Sequence, residues 1–245
     1  MHRNSKNLSR RHVSLALAVA FGGVLAGSAL AQNAAPPAPN NDEPEKVQSG
    51  ATDPKVLKTQ PIPGLPSGPG ARAQSSGTVE LASATLQTNK ARDLSIRFTS
   101  ECFVYTQGTN GQTQNQDQTQ SQASVTTWVE VDGQPVPIGG SSDSTGEPDD
   151  GKVGLCARSQ DLSSTLPDDA VIDLAVLSQS AHGFNWSALN AEAGEHTIKV
   201  MGKLDASVDG SGAGNAAAVI GKRTLQVQAV KPSAPAPEEK KPSNG

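Results

Sequence analysis

Between about Gly77 and Val230 the apolar residues fall on every second position, and that spacing confines this stretch to β-strands. Leu94, Ile96, Phe98, Cys102 and Val104 share one parity, and Val125, Thr127, Val129 and Val131 share another. Val153, Leu155 and Ala157, then Ile172, Leu174 and Val176, continue the pattern. His196, Ile198, Val200 and Leu204 follow, and Leu225, Val227 and Ala229 close it. Successive side chains of a strand point to opposite faces, so such runs bury one face and expose the other. Val131-Asp132-Gly133-Gln134 reads as a two-residue hairpin turn, because Asp and Gly tolerate positive φ. Pro135 and Pro137 then consign the next strand to an edge. Asp169 to Gln179 fits a strand or a helix, and strand is the reading taken.

Short alternating runs punctuated by turns predict a single all-β domain over residues 77–230, an antiparallel sandwich of about eight or nine strands. Aromatic residues make up only 3% of the chain. The core must therefore be built from Val, Leu, Ile and Ala, which suit facing sheets.

The flanks read differently. Arg3, Lys6, Arg10 and Arg11 precede a short apolar stretch from Val13 to Leu25. Ala29-Leu30-Ala31 follows as a small-x-small cleavage pattern, so residues 1–31 are expected to be a secretory signal cut before Gln32. The run is short for a membrane-spanning helix, so no membrane insertion is expected after cleavage. The expected location is periplasmic or extracellular. Residues 32–76 carry nine prolines and read as a disordered spacer, and residues 231–245 read as a disordered Pro/Lys/Glu tail. Gln alternates from Gln112 to Gln122, which suits a solvated loop or a long polar hairpin; the loop is the reading taken. The acidic stretch Gly139 to Gly151 reads as a loop.

Glu192, Gly194, His196 and Ile198 have the spacing of the E–F corner of immunoglobulin-like domains, which they resemble. His stands where that family has Tyr, and Ile where it has the core Cys. The resemblance implies an immunoglobulin-like sandwich in which the His196 ring bonds back to nearby backbone. Trp128 resembles the family's strand-C Trp. The cysteines depart from the family, since Cys156 precedes the corner strand.

Export makes Cys102 and Cys156 an expected disulfide, closing a loop of about 54 residues. Asp205, Ser207 and Asp209, followed by Gly210, follow the first half of a calcium loop, with oxygen ligands on alternate positions. The position of the bidentate Glu is Ala216, so only two carboxylates remain; a Gly/Ser hairpin loop is the simpler reading. Apart from calcium there, no cofactor is expected. Phe103, Tyr105 and Trp128 have the opposite parity to their aliphatic neighbours and are the candidate binding residues, as a ring cluster on an outer face. The alternatives are a second layer over that face or a parity switch at a bulge near Ser100. His182 and His196 lack metal-ligand spacing, and no G-x-S-x-G, Walker A or H-E-x-x-H pattern occurs. No catalytic residue is named.

The net charge of −4 shows no basic stripe for nucleic acid. The expectation is an exported, non-enzymatic binding or structural module whose partner is an envelope protein or a glycan. The alternatives are a carbohydrate-binding module using the three rings and a hydrolase with an unrecognised site.

Overall fold

The computed structural model describes residues 45–63, 70–109, 117–138, 149–164 and 173–231, and among these every regular element is a strand. Eleven strands form two antiparallel sheets. The first sheet holds β1 (Lys46–Ala51) and β2 (Lys55–Lys58) side by side on β11 (Ala213–Val230). Strand β5 (Arg92–Thr109) pairs with β11, and β9 (Asp173–Ala191) pairs with β5. The second sheet sets β3 (Arg72–Ser75) and β4 (Val79–Thr88) on β10 (Gly194–Gly210). Strand β6 (Asp117–Val131) follows, and then β8 (Val153–Ser164) and the two-residue β7 (Gln134–Pro135).

The alternation explains this arrangement. Leu94, Ile96 and Phe98 of β5 stand opposite Ala229, Val227 and Leu225 of β11 on one face, and all six are buried. Val125 and Val129 of β6 stand opposite Leu204 and Val200 of β10, also buried. These two aliphatic faces meet as the core. Thr127 shares the inward parity and is fully buried; its hydroxyl donates to the Met201 carbonyl at 2.7 Å, so no polar group is stranded there.

If β1/β2 and β3/β4 are each taken as one interrupted strand, the chain changes sheet at every step except β6–β7–β8. That is the winding of a double Greek-key jelly roll. Asp132 and Gly133 carry φ of 53° and 81°, the two positive values of the expected hairpin turn. At the β10–β11 crossing, a Cβ on Gly212 would lie 1.8 Å from the Thr109 carbonyl oxygen, so only glycine fits.

Cys102 of β5 and Cys156 of β8 are joined, with Cα atoms 6.3 Å apart, and the bond staples one sheet to the other.

Three expectations are corrected. The segment read as a spacer contributes β1, β2 and β3. Leu57 and Ile62 are 1% and 2% exposed, and Ile62 exchanges backbone hydrogen bonds with Gly214. Its prolines punctuate short strands: Pro54 separates β1 from β2, and Pro61 and Pro63 bracket the Ile62 bridge. These strands bring the count to eleven. The second half of the Gln-rich run is strand: Thr119 and Ser121 face inward while Gln120 and Gln122 face out. Its period of two is genuine, but β6 is held between β10 and β8 and does not pair with β5. Asp173 to Gln179 is strand, as taken. Residues 1–44, 64–69, 110–116, 139–148, 165–172 and 232–245 lie outside the described residues, and with them the signal, part of the spacer reading, the first half of the Gln-rich run, most of the acidic stretch, Asp169 to Ile172 and most of the tail.

Candidate functional site

The three candidate rings do not form one face. Phe103 and Tyr105 project from β5 on the outer side of the first sheet, whereas Trp128 projects from β6 on the outer side of the second. The β5–β6 connection crosses between sheets, so the core separates the rings. Trp128 is half-buried; its Nε1 donates to Glu130 at 2.9 Å, and the Lys152 ammonium sits 5.9 Å from its ring centre. The buried tryptophan is Trp186 of β9, 1% exposed, with its Nε1 donating to the Gly151 carbonyl at 2.8 Å. The strand-C likeness of Trp128 therefore does not carry its core role.

What remains on the first sheet is a band across four strands. Val56 of β2 stands beside Val219 of β11 and then Phe103 of β5. One row along, Lys58, Ala217, Tyr105 and Leu177 are in register from β2 to β9. Val56 is 50% and Leu177 61% exposed. The Tyr105 hydroxyl donates to Gln107 Oε1 at 3.1 Å, and Gln107 Nε2 donates to both Asp173 oxygens at 2.8 Å. Burial, with the Asp173 charge added, holds the Tyr105 pKa above the usual phenol value, so the ring stays neutral. A polar chain thus fixes one end of the band, and Lys58 ends the Tyr105 row on the opposite side.

The calcium reading is corrected by geometry. Asp205, Ser207 and Asp209 lie along extended β10. Alternate residues on one strand face spread over roughly 14 Å from 205 to 209, too far to converge on an ion held at about 2.4 Å. Asp205 instead accepts from Ser75 and pairs with Lys203 at 3.1 Å. Among the described residues no group of three or more His, Cys, Asp or Glu is placed to hold a metal ion.

At the corner, His196 is 6% exposed at the start of β10. The ring donates from Nδ1 to Asp132 Oδ2 and from Nε2 to the Glu192 carbonyl, both at 2.8 Å. A carboxylate and a carbonyl can only accept, so the arrangement suits the imidazolium form. Burial opposes that charge, but Asp132 and the Glu192 carbonyl outweigh it and hold the pKa above the ordinary imidazole value. Burial likewise opposes the Asp132 charge, and the bonds from His196 and the Thr197 amide lower its pKa on balance. The ring reaches nearby backbone as the corner resemblance implied. It also ties the β6–β7 turn to the β9–β10 turn, beside a cavity of about 730 Å³ lined by Val136, Ile138, Leu189 and Glu195 among others.

Sequence reading had not singled out Asp132, Val56 or Leu177 for any contact. The Asp-Gly turn signalled the position of Asp132 but not its partner, which is 64 residues away.

No family model matches the chain, and no curated protein matches it. Among solved structures it is similar to chains of infectious bursal disease virus. The Gx strain structure is 15% identical with a TM-score of 0.14 over 78% of this chain and 43% of that one. A VP2 subviral particle is 11% identical with a TM-score of 0.15 over the same shares. The chain spans less than half the length of these structures, and scores of this size carry no argument about fold or function.

Proposed function

We propose that this chain is an exported, non-enzymatic β-sandwich module of the bacterial envelope or extracellular space, which presents the outer face of its first sheet to an envelope protein. The observation that carries this reading is an apolar patch of two adjacent rows, Val56, Val219 and Phe103 in one and Ala217, Tyr105 and Leu177 in the next, ended by Gln179 and Lys58. Apolar side chains grouped on neighbouring strands, half-buried at the centre and exposed at Val56 and Leu177, suit a protein surface. The inter-sheet disulfide suits an oxidising compartment. The corner histidine has both ring nitrogens engaged, so it serves as a clamp between turns and not as a free base. The immunoglobulin-like likeness is proposed for this corner alone. The carbohydrate reading is set aside, because it needed the three rings on one surface.

The test is fractionation of cells expressing the full chain, followed by N-terminal sequencing. Mature protein beginning at Gln32 in the periplasm or medium is the expected result; uncleaved protein in the cytoplasm contradicts export. In parallel, Phe103→Ser and Leu177→Ser should abolish co-purification with the envelope fraction, while Trp128→Ser should leave it unchanged.

A further inference from the structure

Sheet edges offer unpaired N–H and C=O groups to any passing strand, and folded proteins usually blunt them with Lys, Pro, bulges or short strands. Most edges here are blunted in that way. The β1/β2 edge is two short strands separated by Pro54 and carrying Lys46, Lys55 and Lys58. On the β4 edge, the Ser83 carbonyl accepts from Ser49 at 2.9 Å and the Leu81 carbonyl accepts from Arg223. Strand β3 has four residues. Strand β8 carries Arg158 and Asp161 beside a register shift, and β7 contains Pro135.

Strand β9 is different. It is 19 residues long, and among the described residues its only strand partner is β5, while near its start the Leu174 carbonyl accepts from Gln160 of β8 at 3.3 Å. From Leu174 to Ala191 it holds no Asp, Glu, Lys, Arg or Pro. Three of the five exposed large apolar residues lie on it: Leu174, Leu177 and Leu189, at 40%, 61% and 65% exposure. Its sole irregularity is a bulge in which Leu189 and Asn190 together oppose Asp93, with Asn190 at φ 54°, so Leu189 is the exposed residue at which the regular run ends.

We propose that β9 pairs edge to edge with β9 of a second copy of this chain, antiparallel and centred on Gly183, so that the first sheets of two copies run on as one. A two-fold axis normal to the sheet maps each outer face onto the other's outer face, so opposed residues must lie symmetrically about a single residue. Leu177 and Leu189 each lie six residues from Gly183, and both point outward. Centring on Gly183 therefore sets Leu177 of each copy opposite Leu189 of the other, covering the two most exposed apolar side chains twice over. In the same register Gln179 faces Ser187, Ala181 faces Asn185, and Gly183 meets itself on the axis. Between Leu177 and Leu189 no Asp, Glu, Lys or Arg faces another, so pairing a second copy there meets no like-charge repulsion. The pairing also extends the Tyr105–Leu177 row across the seam, but it stands whether or not that band binds an envelope protein.

The test uses the full mature chain in sedimentation equilibrium up to about 100 μM, a range that reveals even weak pairs. The native protein should sediment at twice the monomer mass. The Leu177→Lys, Leu189→Lys double variant sets lysine against lysine and should sediment as a folded monomer, with circular dichroism unchanged. Leu177→Lys combined with Leu189→Glu sets lysine against glutamate and should restore the dimer. The register is tested by Gln179→Cys with Ser187→Cys, which should cross-link two copies on mild oxidation. Either cysteine alone should not, because like positions then lie about 27 Å apart along the seam. A native protein that stays monomeric overturns the proposal. So does a dimer that survives the two lysines, cross-linking by a single cysteine, or a monomer that captures a foreign strand peptide at β9.

Discussion

Replacing Asp132 with Asn isolates the corner clamp. Asn tolerates the φ of 53° that this turn position demands, and its amide oxygen can still accept from the Thr197 amide. The carboxylate oxygen that faces His196 Nδ1 is replaced by an amide nitrogen, which can only donate, so the charge and the acceptor at that end are both removed. A hydrogen bond to a charged partner contributes about 1.5–3 kcal/mol. The Asp132 side chain is 49% exposed, so solvent screening lowers the expected loss to about 1 kcal/mol at pH 5.5. In a domain of this size that corresponds to a fall of roughly 2–4 °C in the thermal midpoint. The sign with pH follows from the raised His196 pKa. Its contribution is fully present below the unfolded value of about 6.5 and is lost as pH rises through the higher folded value. The lowered Asp132 pKa acts at the other end: its contribution is present above the unfolded carboxylate value of about 3.9 and is lost as pH falls through the lower folded value. The native protein should therefore hold its full clamp stability between about pH 4 and 6.5, within the carboxylate and imidazole limits. Asp132→Asn should flatten the decline above that window, so that the two urea midpoints converge by pH 9. An undiminished decline in the variant between pH 6 and 9 would refute the clamp.

Trp186→Ala should cost about 3–5 kcal/mol in urea denaturation, as loss of a buried aromatic does, while Trp128→Ala should cost under about 1 kcal/mol. Intact-mass measurement of the native protein should fall about 2 Da below the dithiol form, and Cys102→Ala with Cys156→Ala should lower stability by about 4 kcal/mol through the 54-residue loop. Deleting residues 32–63 from the mature chain should destabilise by at least about 3 kcal/mol, since it strips buried Leu57 and Ile62 from the first sheet; unchanged stability would restore the spacer reading.

Alternation made the long strands legible because it is a local property: Leu94 to Val104 announces its buried face without reference to any partner. The Asp132-Gly133 turn was legible for the same reason. Pairing partners were not, because period two does not say whether β5 and β6 share a sheet or face each other across the core. That single ambiguity decides whether Trp128 joins Phe103 and Tyr105, and the sheet-crossing connection separates them. Proline density concealed β1, β2 and β3, whose strands are too short to show a period; β11 and β10 hold them by long-range pairing. The calcium pattern misled because oxygen ligands on alternate positions of a loop and polar residues on the outer face of a strand have the same spacing. His196 was read correctly as a corner residue, but its charge partner comes from a turn 64 residues away that no local pattern ties to it.

The central claim, that the outer face of the first sheet is the binding side, is tested most directly by a photoreactive amino acid installed at position 105 in one strain and at position 126 in another. Tyr105 and Thr126 are both half-buried outward positions, but they lie on opposite sheets. Ultraviolet irradiation of intact cells should yield a discrete cross-linked envelope species from position 105 and none from position 126. Equal cross-linking from both, or a species from position 126 alone, would contradict the account.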